Sequence, residues 1–341
     1  MSTIEVIKYD SVIGDSRLEL HIFGDEINYI IMNTLRRIIY TDIPIYAFTN
    51  INFDKNTTIY HNNYLRLRIS QMPVWGIINN HEILHDNTKN NEDIKDSNIH
   101  DNNNNDNNDN DDDIDIEQTK PIDISSLNQL TMYVNYKNKN SHDIFDITTN
   151  NALFYYKEKQ IENPYSFPIQ LVKININQEI VFSAITELGT ANKNAIFCAV
   201  SVVAYKQQTE NDFIFFLESR GQITEKQILL VAIYNIEYRM NHLLKLVKNN
   251  NDILKNRSEG KISILNEDHT LGNLITHGLQ THPDISFAGY NIPHPLENTL
   301  IFDFKIKSNN IVNIIENVIS KYKKLFNNLK NQINKIPENI T

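Results

Sequence analysis

The stretch NEDHTLGNLITHGLQTHPDISFAGYNIPHPLENTLIFDF, residues 266–304, decides how the rest of the chain is read. Elsewhere Asn, Lys and Ile dominate, whereas here two His-Pro steps, a Phe-Ala-Gly-Tyr segment and two glycines on one helix lie close together. Leu271, Leu274, Ile275, Gly278 and Leu279 fall at helical spacing until His282-Pro283 stops the run. KISIL (261–265) suits a strand before that helix. DISFAGY and NTLIFDFKIK suit two strands after it, with Leu300, Phe302, Phe304 and Ile306 alternating against Ile301, Asp303, Lys305 and Lys307. A long final helix carries Ile311, Ile314 or Ile315, Val318, Tyr322, Leu325, Leu329 and Ile333 on one stripe. The order is β-α-β-β-α.

Working outward, the start of the chain repeats that order. RLELHIFG reads as a strand, and Ile27, Ile30, Ile31, Thr34, Leu35 and Ile38 share a helix face that ends before Pro44. IPIYAFTNINF reads as the next strand. Much later come DFIFFLESRG and a helix bearing Leu229, Ile233, Ile236, Met240, Leu243 and Val247. The expected fold class is therefore α+β: two β-α-β-β-α dimerisation half-folds forming an intramolecular pseudo-dimer. Residues 1–54 and 211–247 form the first, interrupted by a mainly β inserted domain (55–210). A linker (248–260) leads to the second half-fold (261–336). Related halves suggest a pseudo-twofold pair packed as a homodimer would be. The long helices, with Val318, Tyr322 and Leu325 on the last, are the expected pairing surface. Gly272 and Gly278 each cost their helix roughly 1 kcal/mol relative to Ala, which makes sense if a neighbouring backbone approaches closely.

The chain has 341 residues, 40% of them hydrophobic, and a formal charge of −10. That charge is local. Between Asp86 and Glu117 stand twelve carboxylates against Lys89 and Lys95, in an Asn/Asp-rich tract (about 86–121) whose composition predicts disorder. The remainder is near neutral, so the chain lacks the basic excess with which a protein holds nucleic acid by its phosphates. The single cysteine, Cys198, lies in the apolar run AIFCAVSVVAY and reads as a buried, inert thiol. With no leader and no apolar run near the roughly 20 residues of a membrane span, a soluble intracellular protein is expected.

Catalytic motifs are missing. Nine glycines build neither G-x-G-x-x-G nor G-x-x-x-x-G-K-[ST], and there is no G-x-S-x-G elbow. His269, His277, His282 and His294 form no His-Glu-x-x-His pair, so capping and turn hydrogen bonds are their simpler role. A metal-dependent hydrolase built on the His-rich C-terminal half is the rival from another functional class. A freestanding adaptor is a third reading. Arg36 and Arg37 stand off the apolar stripe of the first helix: either they form a solvated face or they hydrogen-bond carbonyls or carboxylates of a partner.

Residues 266–304 closely resemble the eleventh subunit of eukaryotic RNA polymerase II, whose motif is E-D-H-T-L-G-N followed by F-A-G-Y and P-H-P-L-E. NTLRRIIYTDIPIYAF, NTTIYHNNYLRLRISQMPV (56–74) and FLESRGQITEKQILLVAI are similar to segments of the third subunit. Together these cover most of the chain outside the acidic tract and linker. The resemblance implies a fused third/eleventh subunit, equivalent to the bacterial alpha dimer. Such a subunit would be a non-catalytic platform for the largest and second-largest polymerase subunits, contacting small subunits and reaching DNA only through the complex. It assigns Asn33, Arg36, Arg37 and Arg68 to partner binding. Ile27, Ile31, Leu35, Ile38, Leu271, Leu274, Ile275 and Gly278 go to the intramolecular interface, and Phe287, Gly289, Tyr290, His294, Pro295 and Glu297 to the family-motif turn. Asn62-Asn63 replace the usual Asp-Glu, Leu67 the usual His and Ser70 the usual Gly. One cysteine rules out the zinc cluster of some third subunits, so no cofactor is expected. Fusion with Asn, Ile and Lys richness points to a large nucleocytoplasmic DNA virus. The location would then be host cytoplasm or virion, and the nucleus for a cellular chain.

Overall fold

The computed structural model describes residues 2–10, 16–75, 129–139, 144–156, 159–250, 254, 257–294, 299–307 and 310–337. The acidic tract, part of the linker, Pro295 and Glu297 lie outside them. The described elements run β1 (Thr3–Asp10), β2 (Arg17–Phe23), α1 (Tyr29–Thr41), β3 (Ile45–Asn56), α2 (Asn62–Ser70), β4 (Leu130–Lys137), β5 (Phe145–Thr148), β6 (Ala152–Tyr156) and β7 (Lys159–Ile161). Then come β8 (Gln170–Ile174), β9 (Glu179–Gly189), β10 (Val200–Thr209), β11 (Asp212–Ser219), α3 (Glu225–Asn249), β12 (Glu259–Leu265), α4 (His269–Gln280), β13 (Ile285–Asn291), β14 (Thr299–Ile306) and α5 (Ile311–Asn334). This is a mixed α+β chain.

Two antiparallel sheets share a strand order. One runs β1-β2-β11-β10 and the other β12-β14-β13, so β2-β11-β10 answers β12-β14-β13. The helices match as closely. The α1 positions buried in the core, Ile30, Ile31, Met32, Thr34, Leu35, Ile38 and Ile39, correspond at one constant offset to Thr270, Leu271, Gly272, Leu274, Ile275, Gly278 and Leu279 of α4. Likewise Ile228, Leu229, Ala232, Ile233, Ile236, Met240, Leu243 and Val247 of α3 correspond to Ile314, Ile315, Val318, Ile319, Tyr322, Phe326, Leu329 and Ile333 of α5. Residues of both sheets and of α1, α3, α4 and α5 merge into one hydrophobic core. Each helix starts at a side-chain cap that satisfies free backbone N–H groups: Asn28 for α1, Thr224 for α3, Asp268 for α4 and Asn310 for α5.

The first unit differs from the sequence expectation in its strands. IPIYAFTNINF is expected within the first half-fold, yet β3 pairs with β9 in a five-stranded sheet, β3-β9-β4-β6-β7. The strand at β11's outer edge is β10, which lies within the expected 55–210 insertion. The physical reason is that β3 is buried on both faces at its start: Ile45 and Ala47 enter the large core, while Tyr46, Phe48 and Ile51 enter a second core with Met132, Val134, Phe154 and Phe182. A strand wanted by two cores belongs between them. The edge strand β10 buries only Val200 fully, so its sequence carries a weak core signature. β1 also adds an unforeseen outer strand, paired with β2 from Thr3↔Phe23 to Asp10↔Arg17. The polar connection is shorter than 248–260, because α3 runs to Asn249 and β12 starts at Glu259.

The glycines also behave differently from expectation. A Cβ on Gly272 would lie 2.7 Å from Tyr290 Cδ2 and 2.8 Å from Leu300 Cδ1, and one on Gly278 would run into Val318 and Tyr322. The close neighbours are side chains of the same unit, not a backbone from the other.

Candidate functional site

A densely hydrogen-bonded junction between the two sheet-helix units lies where α1 and α3 meet the turn from β12 into α4. Asn266 turns the chain with φ 57°, a left-handed conformation that Asn tolerates better than most residues. That turn delivers Glu267 and Asp268 to the seam. Asp268 caps α4, its Oδ1 accepting from the Thr270 N–H at 2.9 Å and its Oδ2 from the Thr270 hydroxyl at 2.9 Å. From α1, Arg37 donates through Nε to Thr270 Oγ1 (2.9 Å) and through Nη2 to Asp268 Oδ2 (3.1 Å). From α3, Arg239 donates through Nη1 to Asp42 Oδ2 (3.1 Å), through Nη2 to Asp268 Oδ1 (2.7 Å) and through Nε to Glu267 Oε2 (3.0 Å). Arg239 Nη2 also contacts Glu267 Oε2. Asn235, one turn earlier on α3, donates to the Asp42 carbonyl at 2.9 Å.

Burial makes this cluster matter. The side chains of Arg239 and Glu267 are only 17% and 7% exposed. Such ions persist when paired with good geometry, because leaving either alone would strand a charge away from water. Burial pushes the carboxyls of Glu267 and Asp42 above their ordinary range, and the Arg239 guanidinium pulls against it. For Asp268 burial also acts upward, but Arg239 and the Thr270 donors outweigh it and hold the group at about 2. Arg239 is raised, since Glu267 and Asp268 overcome the burial that opposes its charge. A planar five-donor guanidinium serves three carboxylates at once, which an ammonium could not do in this geometry.

The expected site residues fall in several parts of the structure. Arg37 was assigned to an outside partner, yet its bonds run to Asp268 and Thr270 within the chain. Arg36 bonds Asn33 Oδ1 through Nε (3.1 Å) and Nη2 (2.9 Å), so these two residues form one half-buried pair on α1. Arg68, exposed on α2, donates to the Gln170 carbonyl at 2.9 Å. Where the family pattern has Asp-Glu, Asn62 accepts from Asn56 Nδ2 at 2.6 Å and Asn63 from Arg66 Nη1 at 3.1 Å, neutral acceptors in both cases. Ile27, Ile31, Leu35, Ile38, Leu271, Leu274, Ile275, Val318, Tyr322 and Leu325 are all buried in the single large core, and Gly278 faces Val318 and Tyr322. In the motif turn Phe287 is exposed, Gly289 pairs with Asp303 across β14, and Tyr290 packs edge-on to His269 at 5.8 Å. His277 Nδ1 lies 3.0 Å from the Tyr322 hydroxyl, and burial, aided by Lys321, lowers its pKa. Cys198 is half-buried rather than buried, with Sγ 3.2 Å from the Val200 carbonyl.

Sequence reasoning missed Arg239, Asp42, Glu267, Asp268 and Thr270. A signal existed: Arg239 stands on α3 within EYRM, between the core residues Ile236 and Met240, where an unpaired charge would be costly. Nothing local to EYRM names its partners, which are 28, 29 and 197 positions away in sequence. The internal space between α3, α4, α5, β12 and β14 is lined by Leu243, Val247, Ile262, Ile275, Leu279, Phe302, Phe304, Ile311 and Ile315, which supply no acid, base or nucleophile.

Two stretches, residues 25–239 and 259–332, each match the RNA polymerase Rpb3/Rpb11 dimerisation domain. The chain belongs to the RNA polymerase Rpb3/Rpb11 dimerisation-domain family. It is a non-catalytic polymerase subunit carrying both dimerisation domains, and the seam described above lies between them. It is similar to a DNA directed RNA polymerase subunit of Acanthamoeba polyphaga mimivirus, 23% identical over 302 residues, which cover 86% of this chain and 82% of that one. The DNA-directed RNA polymerase II subunit rpb11 of Dictyostelium discoideum is 50% identical over 54 residues, 16% of this chain and 43% of its own. A DNA-directed RNA polymerases I and III subunit of Saccharomyces cerevisiae is 46% identical over 43 residues, 13% of this chain and 30% of its own. No helix among the described residues is long and apolar enough to cross a membrane.

Proposed function

We propose that this chain is the assembly platform of a viral multisubunit RNA polymerase, on which the largest and second-largest subunits are mounted. The observation that carries the proposal is the pair of sheet-helix units with equivalent strand order, sharing one core and one charged seam. In this reading the unit of β2, α1, β10, β11 and α3 takes the third-subunit role, with the β3–β9 region inserted, and the unit of β12 to α5 takes the eleventh-subunit role. Covalent linkage makes their pairing intramolecular, at an effective concentration on the order of millimolar for a short flexible connection. Pairing then persists at low expression.

Arg36 with Asn33 on α1, and Arg68 on α2, are the contacts offered to the large subunits. Small polymerase subunits complete the set of partners, and DNA is reached through the complex. The single cysteine cannot supply the thiolate set of a zinc cluster. The mimivirus relative supports a viral source, and for a viral chain the site of action is the host cytoplasm or the virion. The test is gentle purification of the C-terminally tagged chain from infected cells, followed by mass spectrometry. Two very large chains in equal amount are expected; recovery of the chain alone at its own mass would overturn the platform role.

A further inference from the structure

The two units are alike in backbone but unlike in charge at the seam. Set the α1 and α4 caps in register, and Asn28 answers Asp268, Ile27 answers Glu267, Ile30 answers Thr270 and Arg37 answers His277. Set the buried stripes of α3 and α5 in register, and Arg239 answers Leu325. Cationic groups that cross the seam thus belong to the first unit, and the carboxylates that receive them across it, Glu267 and Asp268, belong to the second; Asp42, the third carboxylate on Arg239, lies in the first unit. At the equivalent positions related by the pseudo-twofold, the residues are Ile27, Asn28 and Leu325, with no charge among them. His277 spends its Nδ1 on Tyr322 of its own unit.

We infer that this one-sided ionic cluster sets which surfaces pair: the first unit fits the second, and neither fits a second copy of itself. The inference rests on the proposed pairing of the two units. Two first units brought together would set Arg37 and Arg239 against Asn28, Ile27 and Ile30, which offer no carboxylate, leaving Arg239 with only Asp42 of its own unit. Two second units would set Glu267 and Asp268 against His277 and Leu325, leaving an almost fully buried carboxylate without its guanidinium. A buried charge that loses its partner is strongly unfavourable, so like pairings are selected against by exclusion as well as by missing attraction. The apolar stripes coincide position for position, so they supply no charge difference between the units.

The test uses full chains and their masses in solution. Arg239→Glu and Glu267→Arg are made separately, so that each chain opposes like charges across its own seam while its altered unit complements that of the other chain. Each variant alone is expected to lose the monodisperse 39.7 kDa species. Co-expressed, they are expected to form a 1:1 exchanged dimer at twice that mass, and the double exchange R239E/E267R in one chain returns the monomer. Single variants that stay monomeric with parental melting would overturn the inference, as would variants insoluble both alone and together while the double exchange folds. A wild-type chain at twice its mass would instead overturn the intramolecular pairing on which the inference rests.

Discussion

Gly278→Ala isolates the packing between α4 and α5. Two terms oppose each other. Alanine favours the helix by about 1 kcal/mol over glycine, and a substitution that merely enjoyed this gain would stabilise the protein. Overpacking a filled core costs about 1–3 kcal/mol, and the site is filled: the new Cβ would lie 2.8 Å from Tyr322 Cε2 and closer still to Val318 Cγ1. Neither neighbour yields easily. Tyr322 is 6% exposed and its hydroxyl is tied to His277 Nδ1 at 3.0 Å, and a valine within a helix keeps largely to one rotamer. The steric term therefore lies toward the upper end of its range and wins, for a net loss of about 1–2 kcal/mol. Equilibrium urea unfolding measures it. Val318→Ala, which removes the offending methyl, costs about 1–2 kcal/mol alone. Combined with Gly278→Ala it should lose less than the sum of the two, by at least about 1 kcal/mol. A Gly278→Ala protein as stable as the parent, or more so, refutes the argument.

Other outcomes follow from the seam. Arg239→Ala strands Glu267 and should cost about 3–5 kcal/mol, read as a lowered urea midpoint. Arg239→Lys should recover little of it, because one ammonium cannot reach Asp42, Glu267 and Asp268 together. The folded pKa of Asp268 is depressed from 3.8 to about 2, so its stabilising contribution is complete above about pH 4 and is lost as pH falls toward 2. Asp268→Asn should flatten the acid limb of a stability-pH curve in that window; an unchanged limb would count against the pairing with Arg239. Arg36→Glu should stay within about 0.5 kcal/mol of parental stability while losing the large subunits in tagged purification. Arg37→Glu, facing Asp268, should lower the melting temperature of the isolated chain as well. Equal behaviour of the two variants would contradict their separate placement.

The helices and the strand spacing were legible in the sequence because both follow local rules. Apolar residues at i, i+3, i+4 and i+7 on α1, α4 and α5, and alternation in β2, β11, β12 and β14, report a buried face whatever that face meets. That the pattern occurs twice is likewise visible, and the 266–304 motif names its family. Strand partnership was not legible for β3, because a strand buried on both faces looks alike whichever sheet it joins. β10 escaped for the opposite reason: an edge strand that buries little carries a weak pattern. The arginines divide the same way. Sequence marked Arg36 and Arg37 as adjacent and equivalent, but a helix turns about 100° per residue, so one closes on Asn33 while the other crosses to Asp268. Periodicity specifies which side of an element is buried; the long-range meeting of Arg239 with Asp42, Glu267 and Asp268 depends on how elements distant in sequence come together, and only the tertiary structure decided it.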